Sequence, residues 1–227
     1  MDFNTYKNTY TQTIEESLRF SGKEHDFFTR VKADSLKKII ERFLPKNKDL
    51  SLLDIGCGHG FIHKHLKEKN LKITGVEVAD EVLTLAQQLN PDAAYIPYDG
   101  KKLPFPSEHF DVAITICVMH HVTPSQWQDF LAEMKRVIKK NGIAVVFEHN
   151  PYNPVTRHIV ANNILDKDAV LLSSFKLKKM MHKAGFNAVQ SRNILFTPFG
   201  NKLFRWLDKK LGYLPFGAQY YAVGLNK

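Results

Sequence analysis

Leu52-Leu53-Asp54-Ile55-Gly56-Cys57-Gly58-His59-Gly60 decides the fold of this 227-residue chain. An apolar run that ends in an acid and opens into three alternating glycines describes a strand-to-helix turn able to approach a nucleotide closely. The spacing is G-x-G-x-G, and Phe61 stands where a dinucleotide fingerprint would place its last glycine. The usual nicotinamide pattern therefore fails, and a different nucleoside is implied.

Further acids follow at set distances. Leu71-Lys72-Ile73-Thr74-Gly75-Val76-Glu77 reads as a second strand. It ends in a carboxylate about 20 residues beyond the glycines, where an acid can accept from both ribose hydroxyls. A helical stretch, Glu81 to Leu89, and a short strand, Ala93 to Ile96, lead to Asp99-Gly100, where a carboxylate can accept from an adenine amine. Leu103-Pro104-Phe105 then runs into Phe110-Asp111-Val112.

Taken together, these four ordered segments resemble the class I S-adenosylmethionine-dependent methyltransferases, in the small-molecule branch that includes the ubiquinone-biosynthesis enzymes. The resemblance covers roughly residues 50 to 150 by motif and the remainder by layout. It implies S-adenosylmethionine as cofactor. Asp54 would organise the turn, and Gly56, Cys57, Gly58, Gly60 and Phe61 would surround the methionine moiety. Glu77 and Val78 would take the ribose, Asp99 and Gly100 the adenine, and Cys117 would lie close by.

Apolar runs alternating with helical periods predict an α/β fold. Strands are expected near 51–55, 72–77, 93–96, 110–116 and 142–148, with helices over Pro124 to Lys140 and Ser173 to Ala184. Asn141-Gly142 reads as the stop of the first of these helices. Phe186 to Phe196 and Gln219 to Leu225 resemble the family's sixth and seventh strands. The resemblance then implies one Rossmann-like domain over residues 1–227: a seven-stranded, mostly parallel sheet in the order 3-2-1-4-5-7-6 with helices on both faces. Residues 1–49 form an N-terminal lid, 50–150 the cofactor core, and 151–227 a cap after strand 5 followed by the last helices and strands.

Ligands of such sheets sit beyond the carboxyl ends of the strands. Strand 4 is followed by Cys117-Val118-Met119-His120-His121, and strand 5 by Glu148-His149-Asn150. His120, His121 and His149 are the candidate bases, because imidazole titrates near neutrality. Glu148 either orients a histidine or binds substrate. The same four side chains could hold zinc or iron, but displacement at a sulfonium needs positioning more than Lewis acidity, so no metal is expected. Acceptor contacts are expected from Tyr6, Tyr10 and Phe20 in the lid, from Tyr152, and from Arg157, whose guanidinium can hold a carboxylate or phosphate bidentately.

Composition bounds the partners. The whole +9 excess lies in residues 151–227, which carry 12 basic and 3 acidic side chains, whereas residues 1–150 carry 20 of each. Such a field gathers anions. Within 198–216, Leu203, Phe204, Leu207 and Leu211 form one helical stripe, suited to covering the pocket mouth or to lying on an anionic membrane. The Asn/Asp-Pro-Pro-aromatic motif of adenine-methylating enzymes is missing after strand 4, and neither cysteine fits pyrimidine-C5 chemistry. Methylation of an oxygen, and after it of a nitrogen or carbon, of a small acceptor that can bear a lipid or phosphate is expected, and nucleic acid is not. An RNA methyltransferase using the basic third and a non-catalytic cofactor-binding subunit are the alternatives. Two unpaired cysteines, with neither a signal-like start nor a long apolar run, lead to the expectation of a cytoplasmic protein.

Overall fold

The computed structural model describes residues 25–45, 49–67, 70–197, 206 and 210–227. Seven strands form one sheet: β1 (Leu50–Ile55), β2 (Leu71–Glu77), β3 (Ala94–Pro97), β4 (Phe110–Ile116), β5 (Ile138–His149), β6 (Asn187–Ile194) and β7 (Gln219–Leu225). Their order is β3-β2-β1-β4-β5-β7-β6, as expected. β1 to β5 are parallel, and β7 runs antiparallel to both β5 and β6.

Among the described residues, the sheet is covered by α1 (His25–Phe43), α2 (Asp80–Leu89), α3 (Trp127–Val137), α4 (Pro154–Asn162) and α5 (Ser174–Lys183). On one face, Trp127, Leu131, Met134 and Val137 of α3 pack with Leu177 and Met181 of α5 against Leu53, Ala113, Ala144 and Val146. On the other, Ala33, Leu36, Ile39 and Ile40 of α1 pack against Leu52, Val112, Ile114, Val145 and Phe147. Covered on both faces, β4 and β5 are apolar over Val112–Ile114 and Ile143–Phe147.

Two boundaries differ from the sequence reading. The helix expected through Lys140 ends at Val137, because its last carbonyls and the next residue are claimed by the sheet. Glu108 and His109 donate backbone N–H to the carbonyls of Arg136 and Val137, and Ile138 pairs with Phe110. The Asn141-Gly142 turn therefore falls inside β5, with Asn141 at φ 64°, where the pairing register shifts. Tyr6, Tyr10 and Phe20 lie outside the described residues, as does most of 198–216. What is described of the N-terminal region is α1, whose first turns reach the carboxyl edge of the sheet.

Candidate active site

A cavity of about 460 Å³ opens over the carboxyl ends of β1, β2, β4 and β5. That volume falls within the range of small-molecule sites. Its floor is the glycine turn. Gly56 sits at φ 74°, and a Cβ there would lie 2.5 Å from a methyl of Val118, so only glycine fits. Gly58 is at φ 50° and faces open space, with nothing within 4 Å of the position a Cβ would take. Its N–H donates to Glu77 Oε2 at 3.0 Å, while Val78 and Ala79 donate to Glu77 Oε1 at 2.7 and 3.2 Å. Burial pushes the Glu77 carboxyl above its ordinary range in spite of these three donors.

Asp54, at the end of β1, holds His63 Nε2 through Oδ2 at 3.0 Å, and His63 Nδ1 meets the Tyr95 hydroxyl at 2.6 Å. Asp54 lines the cavity, and its Oδ1 is buried without a hydrogen-bond partner among the described residues. A second cluster stands opposite. His120 Nδ1 lies 2.6 Å from Glu148 Oε2, and Glu148 Oε1 accepts the Met119 N–H at 2.8 Å. His120 Nε2 lies 3.3 Å and His121 Nε2 3.4 Å from Asp166 Oδ1, while Asn163 Nδ2 donates to Asp166 Oδ2 at 2.7 Å. Burial would lower His120, but Glu148 and Asp166 hold it well above its usual range. Burial, followed by the charge on His120, brings His121 and His149 down to about 4.

The cavity wall includes Asp54, Gly56, Cys57, Gly58, Phe61, Glu77, Val78, Gly100, Cys117 and all three histidines. Gly60 lies just beneath, where its carbonyl accepts from Asn90 Nδ2. Several expected residues stand elsewhere. Asp99 is exposed, and its carboxylate caps the N–H groups of Lys101 and Lys102. Glu148 is fully buried behind His120 and His149, placed to orient His120 rather than to meet a ligand. Tyr152 is 61% exposed. Arg157 lines a separate surface hollow with His158 and Lys167.

Four residues not picked out from sequence join the site. His63 and Tyr95 brace Asp54, Asp166 faces two histidines, and Lys32 of α1, only 8% exposed, lines the wall. The one signal available for Lys32 was a lysine on the apolar stripe of a helix.

Comparison with known proteins agrees with this geometry. A family model described as "Methyltransferase domain" matches residues 53–146. The demethylmenaquinone methyltransferase of Thermotoga maritima is 33% identical over 119 residues, covering 52% of this chain and 51% of that one. The ubiquinone/menaquinone biosynthesis C-methyltransferase of Campylobacter jejuni is 28% identical over 215 residues, with 89% of each chain covered. An uncharacterised methyltransferase of Synechocystis is 32% identical over 103 residues. The chain thus spans about half the length of the Synechocystis and Thermotoga relatives, 49% and 51%. In fold, a solved S-adenosylmethionine-dependent methyltransferase of T. maritima superposes with a TM-score of 0.71 at 22% identity, covering 99% of this chain and 98% of that one.

Residues 53–146 thus match a methyltransferase domain, and the chain has the fold of solved S-adenosylmethionine-dependent methyltransferases, which implies S-adenosylmethionine as the cofactor. The residues present fit that cofactor. The orphaned Asp54 Oδ1 offers an acceptor to the ammonium of the methionine moiety, the open cradle at Gly58 leaves room for its backbone atoms, and Glu77 stands where ribose hydroxyls can donate. When bound, S-adenosylmethionine would supply a sulfonium methyl with a neutral leaving group. Among the described residues no helix is long and apolar enough to cross a membrane.

Proposed function

We propose that the protein transfers the methyl group of S-adenosylmethionine to an oxygen of a small acceptor that carries negative charge. One observation carries this reading: the cradle at Gly58 and the imidazoles of His121 and His149 share a single cavity, with Lys32 in its wall. A hydroxyl held between them would approach the sulfonium in line, and His149 would take its proton as the new C–O bond forms and the C–S bond breaks. His120, pinned by Glu148 and Asp166, positions the two flanking imidazoles instead of accepting that proton. Lys32 supplies the cation for a carboxylate or phosphate on the acceptor, the part first assigned to Arg157.

A carbon acceptor is the second reading, because the Campylobacter relative is named a C-methyltransferase. Loss of a phenolic proton to the same base would feed electron density to a ring carbon. The free thiols of Cys57 and Cys117 suit a reducing cytosol.

The test uses a methyl-labelled donor with a cell extract split into lipid, small-molecule, RNA and protein fractions. Label is expected in the small-molecule or lipid fraction, and His149→Ala should lower turnover while donor affinity stays. Label in RNA alone overturns the reading, and donor binding without any turnover points to a non-catalytic subunit.

A further inference from the structure

We propose that His120, His121 and Asp166 form a binding site for a first-row divalent ion, zinc for preference, whose open position faces the acceptor side of the cavity. One ligand atom from each of the three lies within 4.8 Å of the other two. Two of the edges, His120 Nε2 to Asp166 Oδ1 at 3.3 Å and His121 Nε2 to Asp166 Oδ1 at 3.4 Å, are equal within 0.1 Å. For zinc bonds of about 2.05 Å, the edge of a tetrahedron is about 3.3 Å, so an ion fits between these atoms with little movement.

The surroundings are those of a metal site. Metal-ligating histidines commonly pass their second ring N–H to a carboxylate, which fixes the tautomer and aims the other nitrogen. Glu148 does this for His120, at 2.6 Å from Nδ1. Asn163 does the equivalent for Asp166, engaging Oδ2 at 2.7 Å and leaving Oδ1 for the ion. Glu148 and Asp166 also provide two negative charges, which match a divalent ion held by neutral imidazoles. Two histidines and one carboxylate leave at least one coordination position vacant, and all three residues line the cavity. An acceptor hydroxyl bound there would be polarised next to His149. The chain positions are 120, 121 and 166, a spacing that matches no compact metal motif, and Asp166 reaches the site only because the cap folds back over the strand ends.

Metal binding does not depend on the proposed reaction, so the test reads the ion directly. Chelator-treated protein is titrated with cobalt(II), which reports low-symmetry coordination by visible absorption, and with zinc, followed by desalting and metal analysis. One equivalent should be retained by the wild type and by His182→Ala, which removes an exposed histidine on α5. Glu148→Gln is expected to weaken binding by about 10- to 100-fold. His121→Ala and Asp166→Asn should abolish it. Each variant is also titrated with S-adenosylhomocysteine, and unchanged affinity shows that the fold persists. Wild-type protein that retains no ion, or an Asp166→Asn variant that binds as tightly as wild type, overturns the site. A failure of methyl transfer with the ion still bound would instead overturn the proposed reaction.

Discussion

Asp54 keeps one carboxylate oxygen on His63, which is itself held by Tyr95, and leaves the other buried without a hydrogen-bond partner among the described residues. Removing His63 would leave a buried carboxylate without its donor, whereas removing the Tyr95 hydroxyl deletes one outer hydrogen bond. His63→Ala should therefore cost about 3 kcal/mol and Tyr95→Phe about 1 kcal/mol. Urea denaturation of the two variants checks this, and equal losses would show that His63 merely fills space. At Glu77 the raised carboxyl has a consequence for pH. Its contribution to stability is fully present below the ordinary carboxylate range and is lost as pH rises through the raised value, because burial favours the neutral form. Donor binding runs the other way, since ribose hydroxyls donate to the ionised form. Affinity for S-adenosylhomocysteine should thus fall as the solution is acidified through that raised value, and Glu77→Gln should bind weakly with a flat profile. A variant profile that parallels the wild type would remove Glu77 from the ribose. The glycine turn and Glu77 were legible in sequence because their spacing is local, set by one strand-turn-strand unit. Tyr95, Lys32 and Asp166 were not, because each reaches the site through space from a separate element, and His63, though local, matches no spacing that marks a brace for Asp54.

Helix α1 joins the second core to the cavity. Leu36 is fully buried between Ala33, Ile39 and Ile40, while Thr29 and Lys32, a turn or two earlier, line the cavity. Packing on the sheet is what fixes the lid end in place, so damage at Leu36 should reach the pocket. Leu36→Ala should cost about 2–5 kcal/mol and should weaken acceptor binding more than donor binding. Denaturation together with the two binding isotherms measures both, and equal weakening of donor and acceptor would uncouple the helix from the acceptor side. Element order and strand identity were legible because Val112–Ile114 of β4 and Ile143–Phe147 of β5 are unbroken apolar runs and the α3 stripe is regular. The α3–β5 border was not, because Val137 and Ile138 satisfy the helical period and the strand equally well. Pairing of Ile138 with Phe110 and the Asn226 side chain on the Ile138 carbonyl decide it, and both partners are distant in sequence.

Exposed aromatic rings gather where the loop after β5 meets the loop before β7. The side chain of Asn150 donates to the carbonyls of Pro215 and Gly217, and that of Asn153 to the carbonyl of Phe216. These bonds tie the loop after β5 to the loop before β7, so Tyr152 and Phe216, each 61% exposed, are neighbours, and Tyr213 is 81% exposed close by. Exposed rings in the third of the chain that carries the basic excess suit a lipid interface, where rings insert and each nearby cation adds about 1 kcal/mol against anionic headgroups. All of the +9 excess falls in residues 151–227. We therefore expect anionic vesicles to retain the wild type at low salt, with release as salt rises, since screening acts within about 10 Å at 0.1 M. Neutral vesicles should retain little. A Tyr213→Glu, Phe216→Glu double variant should sediment far less with anionic vesicles while binding S-adenosylhomocysteine normally, because neither residue lines the cofactor cavity. Equal retention of wild type and variant would leave these rings as solvent-exposed loop residues and would assign the basic third to gathering a soluble anionic acceptor instead.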